Sequence, residues 1–400
     1  MCGAYVMARE RSIAIASAYL GWVMDGYDAL LVVPILPLLG SLFFPGPYSY
    51  LGGLSTLVAT LVMRPLGSVV MGYVGDWAGR RVGLMATTLG YSLSGLAIAL
   101  MPPYESAGAA APIAVLVLRA LQGVFLGGEW GPGTSMIMEW SGWRGEISSA
   151  FAQTGYPLGA LAASLVYSAM SASMGSAFAA FGWRIYVATG ALAAVLAFML
   201  RRRSVESPLW RRPRRNPLAA LFLESSADLA KAIAMTTGLF LTYYSTYLIY
   251  SQYLKYVGLA ELTPFVMTAS TAAAVISVFL GGVLALVVGY RAVFVGSLAA
   301  ALAFAPYALM FNPSAASLVA LAFLENFAMG LVPLVLVRRF GVEKRATGLG
   351  VAYNWGLLIG GWAPLLVGIF GSMPVGMVSV MAVGVVVAIA GLLALGSPTP

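Results

Sequence analysis

Six ionisable side chains interrupt otherwise apolar runs of this chain: Asp25, Asp28, Arg64, Arg119, Glu129 and Glu325. In lipid, charge at such positions costs at least about 2.5–3.5 kcal/mol each, and it is tolerated where it faces a bundle interior or a water-filled path. Asp25 and Asp28 are three residues apart and share one face of a helix. Two carboxyls held close together away from water compete for ionisation, and a nearby arginine decides which of them keeps a proton. Asp25 is therefore the leading candidate for a proton carrier, with Asp28, Glu129 and Glu325 as further ones. Static pairing with Arg64 or Arg119 is the other reading of the same acids.

Arg64 and Arg119 each offer a planar fork that can grip a carboxylate through two parallel hydrogen bonds. Arg119, Gln122 and Glu129 fall on one side of a helix, with Arg119 and Glu129 about 15 Å apart along its axis. That separation rules out a direct pair, and Glu129 is expected to titrate or to meet Arg64. Tyr243, Tyr247 and Tyr250 follow i, i+4, i+7 spacing. Such a stripe is a frequent product of packing, but hydroxyl-bearing rings facing a cavity can also hold a small organic acid. Asn354 is a further polar candidate for that pocket. Asp25, Arg64, Glu129 and Glu325 lie near the middle of their runs, so one shared cavity is expected.

The elements that must position these groups follow from composition. The chain has 400 residues, of which 60% are hydrophobic and 9% charged, with no histidine and one cysteine. Soluble domains average about 45–50% apolar and 25% charged residues. Apolar helical runs are read near 12–39, 49–75, 83–101, 112–140, 147–173, 182–200, 229–257, 262–289, 291–310, 314–337, 346–370 and 374–395. Each approaches or exceeds the roughly 20 residues that a bilayer span requires, and no sizeable soluble domain fits between them. The expectation is an all-α, multi-pass protein of the cell membrane with twelve transmembrane helices. The first run lacks a small-residue cleavage site before a polar mature chain, so it is read as a retained span.

Several classes of chemistry drop out. With one thiol and no imidazole, the usual zinc, haem, iron–sulfur and disulfide arrangements are not available, and no cofactor or metal is expected. There is no G-x-x-x-x-G-K-[ST] loop for ATP and no G-x-S-x-G nucleophile elbow, so an enzyme is not expected. The formal charge of +8 is read by position and not as a nucleic-acid footprint, because basic residues gather on cytoplasmic loops. They fall on alternate connections, which implies that both termini are cytoplasmic. The most basic connection, 201–228, holds seven arginines and three prolines and divides the runs into 1–200 and 229–400. It reads as a cytoplasmic linker that contacts anionic lipid headgroups.

Residues Gly72-Tyr-Val-Gly-Asp76-Trp-Ala-Gly-Arg80-Arg81 resemble the G-x-x-x-D-R-x-G-R-R loop motif of the major facilitator superfamily. Trp77 departs from the pattern, and the counterpart in the second half, Gly281 to Arg291, keeps glycines and one arginine but lacks the acid. Asp25-Gly26-Tyr27-Asp28, Arg64-Pro65-Leu66-Gly67 and the stretch from Arg119 to Glu129 are similar to elements of the metabolite, sialate and aromatic-acid proton symporters. The resemblance implies two six-helix bundles and a monomeric secondary transporter that moves a small organic anion with protons by alternating access. A carrier of sugar or phosphate, or a drug exporter, is the alternative. It also implies a gate built from Asp76, Arg80 and Arg81 with Glu139 at the inner end of the fourth run, and Arg144 is expected beside Glu139.

Overall fold

The computed structural model describes residues 2–141 and 144–396, and every regular element among them is helical. Apolar sequence dictates this, because a backbone in lipid must satisfy its own hydrogen bonds and a helix does so within one segment. The main helices are α1 (Cys2–Leu31), α2 (Ser49–Trp77), α3 (Arg80–Leu100), α4 (Ala110–Gly127, continuing as Trp130–Trp140), α5 (Gly145–Met174) and α6 (Trp183–Arg203). They are followed by α7 (Ser226–Tyr244), α8 (Thr263–Val288), α9 (Tyr290–Pro306), α10 (Ala315–Asn326, continuing as Val332–Val337), α11 (Arg345–Gly360) and α12 (Met373–Leu395).

Eleven helical segments among the described residues are long and apolar enough to cross a membrane. The expected run at 229–257 is not one of them. Its helix α7 stops at Tyr244 and gives way at Ser245–Thr246 to a short turn, Tyr247–Ile249, and a seven-residue helix, Tyr250–Tyr256. Hydroxyl-bearing residues crowd this stretch and lower its hydropathy. Thr246 has φ −116° and ψ −87°, outside the helical range, and broken helices at membrane depth occur where they are buried in protein or line a cavity.

Helices α1–α6 pack mainly on one another through α2–α4, α1–α5 and α3–α6, while α7–α12 do so through α7–α12, α7–α11 and α8–α10. The two groups meet along α5–α8 and α2–α11. Small residues set the close approaches. A Cβ at Gly67 or Gly123 would strike the backbone of the partner helix at Val124 or Thr60, so α2 and α4 touch main chain to main chain. This contact fixes Arg64 and Arg119 on neighbouring, rigid elements. The turn from α2 into α3 requires Gly79 at φ +114°, a conformation closed to most side chains.

Candidate functional site

A cavity of about 180 Å³ lies between the two groups of helices. Arg64, Thr60 and Leu61 line it from α2, Gln153 and Tyr156 from α5, and Phe240, Tyr243, Tyr244 and Tyr247 from α7 and its break. Asn326 and Tyr353 complete its polar edge. For scale, an engineered cavity of about 150 Å³ admits benzene, so the space suits a solute of similar or slightly larger size.

Arg64 is the buried cation of this cavity. Its Nη2 donates to both oxygens of Asp25, at 2.9 and 2.8 Å, and its Nε donates to Asn354 Oδ1 at 3.2 Å. Asn354 in turn donates to the carbonyls of Gly127 and Gly350, both at 3.0 Å. Arg64 is thus tied to α1 in its own half and to α11 in the other. Expected as a solute ligand, Asn354 is instead consumed in holding Arg64 and bridging the halves. Tyr243 and Tyr247 do line the cavity, stacked with ring centres 5.0 Å apart, and Tyr247 shares a hydrogen bond of 2.5 Å with Thr271. Beneath them Trp130 stacks on Tyr353 at 4.0 Å, and Gln153 accepts from Trp130 Nε1 while donating to Tyr353 Oη.

The single shared chamber expected for the buried charges is not found. Arg119 and Gln122 lie outside the lining, inside the first group of helices. Arg119 Nη1 donates to Gln122 Oε1 and its Nε to the Thr56 carbonyl, while Nη2 is buried without a partner among the described residues. Asp28, also buried, is drawn electrostatically to Arg119 without contacting it, and its carboxylate sits against Gly190 of α6. Glu129 does not meet Arg64. It is held by Arg201 in the last turn of α6, with Thr87 of α3 as a second donor. The linker's first arginine is therefore a buried helix residue whose Nη1 also donates to the Leu84 carbonyl, tying α6 to α3. Glu325 accepts from Thr246 Oγ1 at 2.8 Å, and its second oxygen is buried without a partner among the described residues.

At the end of the bundle that carries the α2–α3 turn, the two groups of helices are clasped. Asp76 accepts from the backbone N–H groups of Ala346 and Thr347, at 3.0 and 2.9 Å, and from Thr347 Oγ1 at 2.6 Å. This acid thereby caps, from the other half, the positive N-terminal end of α11. Arg80 reaches Asp76 at 2.6 Å, Glu139 at 3.3 Å and the Val342 carbonyl at 2.6 Å. Glu139 also pairs with Arg345 at 2.8 Å and accepts from Ser207. Arg144, expected beside Glu139, has an exposed side chain, and its carbonyl accepts from Ile147 and Ser148 at the start of α5. Arg81 turns away from the acids and donates to the carbonyls of Arg201 and Arg202.

Sequence reasoning missed Glu206, Ser207 and Ser149 in this clasp, and it read Arg345, with Glu343 and Lys344, either as a mirrored part of the latch or as a solvated topology signal. Ser149 of α5 donates to the Gly330 carbonyl at 2.7 Å and accepts from the Leu334 N–H at 2.9 Å. These two groups are four residues apart in the interrupted α10, so a hydroxyl from one half is inserted into the helical ladder of the other. No sequence signal distinguishes Ser149 from the serine beside it. Glu206 was visible as the one acid within the arginine-rich stretch 201–215.

The profile of the Major Facilitator Superfamily matches residues 12–364, and the chain belongs to that family. It is a multi-pass membrane protein of a transporter family. Among curated proteins it is 27% identical over 282 residues to the inner membrane metabolite transport protein YhjE of Escherichia coli, covering 68% of this chain and 60% of that one. It is 31% identical over 206 residues to the glycine betaine/proline/ectoine/pipecolic acid transporter OusA of Dickeya dadantii, covering 50% and 40%. The matched stretch is thus less than two thirds of either relative's length. The fold is shared with the proton:xylose symporter XylE, at TM-score 0.79, 17% identity and 95% coverage of both chains. The human organic anion transporter MFSD10 shares it at TM-score 0.72 and 15% identity, covering 96% of this chain and 99% of that one.

Proposed function

We propose that this protein is a proton-coupled secondary transporter of a small carboxylate-bearing solute, working by alternating access with twelve spans and both termini in the cytoplasm. The domains would be 1–200 and 229–400, rocking about the cavity, with 201–228 as the cytoplasmic linker. In this reading the clasp around Asp76 is the cytoplasmic gate, and the described conformation is closed on that side. The observation that carries the reading is Arg64, a buried guanidinium at the cavity joined at once to Asp25 and, through Asn354, to the opposite half.

A solute carboxylate that takes over a donor of Arg64 releases Asp25, which then accepts a proton. One event at the cavity thus alters both a charge and the tie between halves. Asp28 is the second proton site, because it is buried without the charge-assisted hydrogen bonds that Asp25 receives, and Arg119 stands apart from it. Glu129, fully engaged by Arg201, is a fixed strut in this scheme. Glu325 is a third acid able to hold a proton, placed behind the break in α7.

A second reading concerns solute charge and rests on the same pair. Because Asp25 neutralises Arg64, the cavity does not present a bare positive charge. Its tyrosines and Phe240 supply ring faces that attract an alkylated ammonium group. A zwitterion carrying both groups fits these features, and the betaine and proline transport ascribed to the relative from Dickeya points the same way. Purified protein in proteoliposomes under an imposed pH gradient, offered lactate, aromatic acids, glycine betaine, proline, phosphate and xylose, tests both readings. Accumulation of carboxylate-bearing solutes alone is the expected result. Gradient-driven uptake confined to xylose or phosphate would contradict them.

A further inference from the structure

The segment after α6 is a strap with two different faces. Its inner face grips the clasp. Glu206 accepts from the backbone N–H groups of Arg80 and Arg81 at 3.0 and 3.1 Å, Ser207 donates to Glu139, and Trp210 Nε1 donates to the Asp76 carbonyl at 2.9 Å. Asp76 and Glu139, the two acids at the centre of the clasp, are thus both touched by the strap.

Its outer face carries Arg211, Arg212, Arg214 and Arg215, and the last turn of α6 adds Arg202 and Arg203, all exposed. Among the described residues only Arg215 of these six has an acidic partner, the exposed Glu224 at 3.2 Å, and an ion pair in water contributes little. Arg212 lies over the Trp77 ring at 5.1 Å. Leu209, Phe222 and Leu223 are exposed in the same segment. Both ends of the strap are tied to long helices, α6 and α7, so it cannot leave the level of the bilayer surface. Arginines interleaved with exposed Leu and Phe form the composition of a segment that lies in the headgroup region, where anionic lipid attracts the charges and the apolar side chains leave water. A soluble anion would satisfy the arginines but not the apolar residues.

We propose that the outer face of this strap is a docking surface for the anionic phospholipid headgroups of the adjacent leaflet, and that lipid bound there holds the clasp closed. Lipid composition then sets how often this end of the transporter opens. The inference does not depend on which solute is carried or on what ion drives it.

The test uses the full chain with Cys2→Ser and spin labels at Val82→Cys and Glu343→Cys, one on each side of the clasp. The protein is placed in vesicles of phosphatidylcholine alone or with about one third phosphatidylglycerol, and label separation is read without solute or gradient. The ratio of the short-distance to the long-distance population is expected to rise at least about fivefold with the anionic lipid. Arg211→Gln, Arg212→Gln, Arg214→Gln and Arg215→Gln together are expected to abolish that response, while the four Lys replacements retain it. Should the Gln variant fail to fold, the lipid series on the unaltered strap still decides. Equal distributions in both vesicles would overturn the proposal. So would closure by soluble glycerophosphate in neutral vesicles, since the ligand would then be a soluble anion.

Discussion

Asp25 and Asp28 stand about 4.5 Å apart along α1, each associated with an arginine, yet the two pairs are built differently. Asp25 receives two hydrogen bonds from Arg64, and that arginine reaches across to α11. Asp28 and Arg119 attract each other without contact, and Arg119 spends its donors on Gln122 and Thr56 within the first half. One pair borders the cavity and bridges the two groups of helices. The other is enclosed by α1, α4 and α6. The difference teaches that burial alone does not assign a role to a charge; what matters is whether its partner is bonded and whether that bond crosses the interface.

The sharpest way to break this comparison is to remove the bridging cation. Arg64→Gln leaves Asp25 buried and unpaired, a defect of about 3–5 kcal/mol, and is expected to lower both accumulation and solute exchange by more than about a hundredfold. The double variant Asp25→Asn with Arg64→Gln should recover protein yield but not transport. Recovered transport would show that the pair is merely structural.

Arg119→Gln is expected to act on the other pair alone. Gradient-driven accumulation should fall about tenfold, while the affinity measured by equilibrium binding of the transported solute stays within about twofold, because Arg119 does not line the cavity. A matching loss of affinity would return Arg119 to the binding role that its fork first suggested. A smaller effect is expected from the clasp. Ser149→Ala leaves the Gly330 carbonyl and Leu334 N–H to re-form their own helical bond, so the closed form should lose about 1 kcal/mol, roughly a fivefold shift toward cysteine accessibility at that end. An unchanged labelling rate would mean that the inserted hydroxyl is neutral. Least of all, Tyr247→Phe removes one hydrogen bond to Thr271 and should weaken solute binding about twofold to fivefold, read as a change in the concentration for half-maximal uptake.

What was legible in the sequence, and what was not, follows the reach of each interaction. The turn at Gly79 and an acid facing a helix N-terminus are local consequences of the motif, and Asp76 takes that position. Arg64 and the stacked tyrosines were readable from burial cost and helical spacing. Partners chosen by tertiary packing were not. Glu129 meets Arg201, 72 residues away, and Glu139 takes Arg345 in place of the nearby Arg144. Arg201 was hidden because it opens a run of arginines that otherwise reads as exposed linker. The break in α7 was also missed, since its apolar content masks the Ser245–Thr246 discontinuity.

The central claim is that Asp25 takes up the proton when the solute draws a donor of Arg64 away from it. Asp25→Asn in proteoliposomes tests it most directly, with accumulation under a pH gradient and exchange against preloaded solute measured on the same vesicles. The account predicts that accumulation vanishes while exchange continues near the unaltered rate. Accumulation to the level of the unaltered protein, or loss of both activities together, would contradict it.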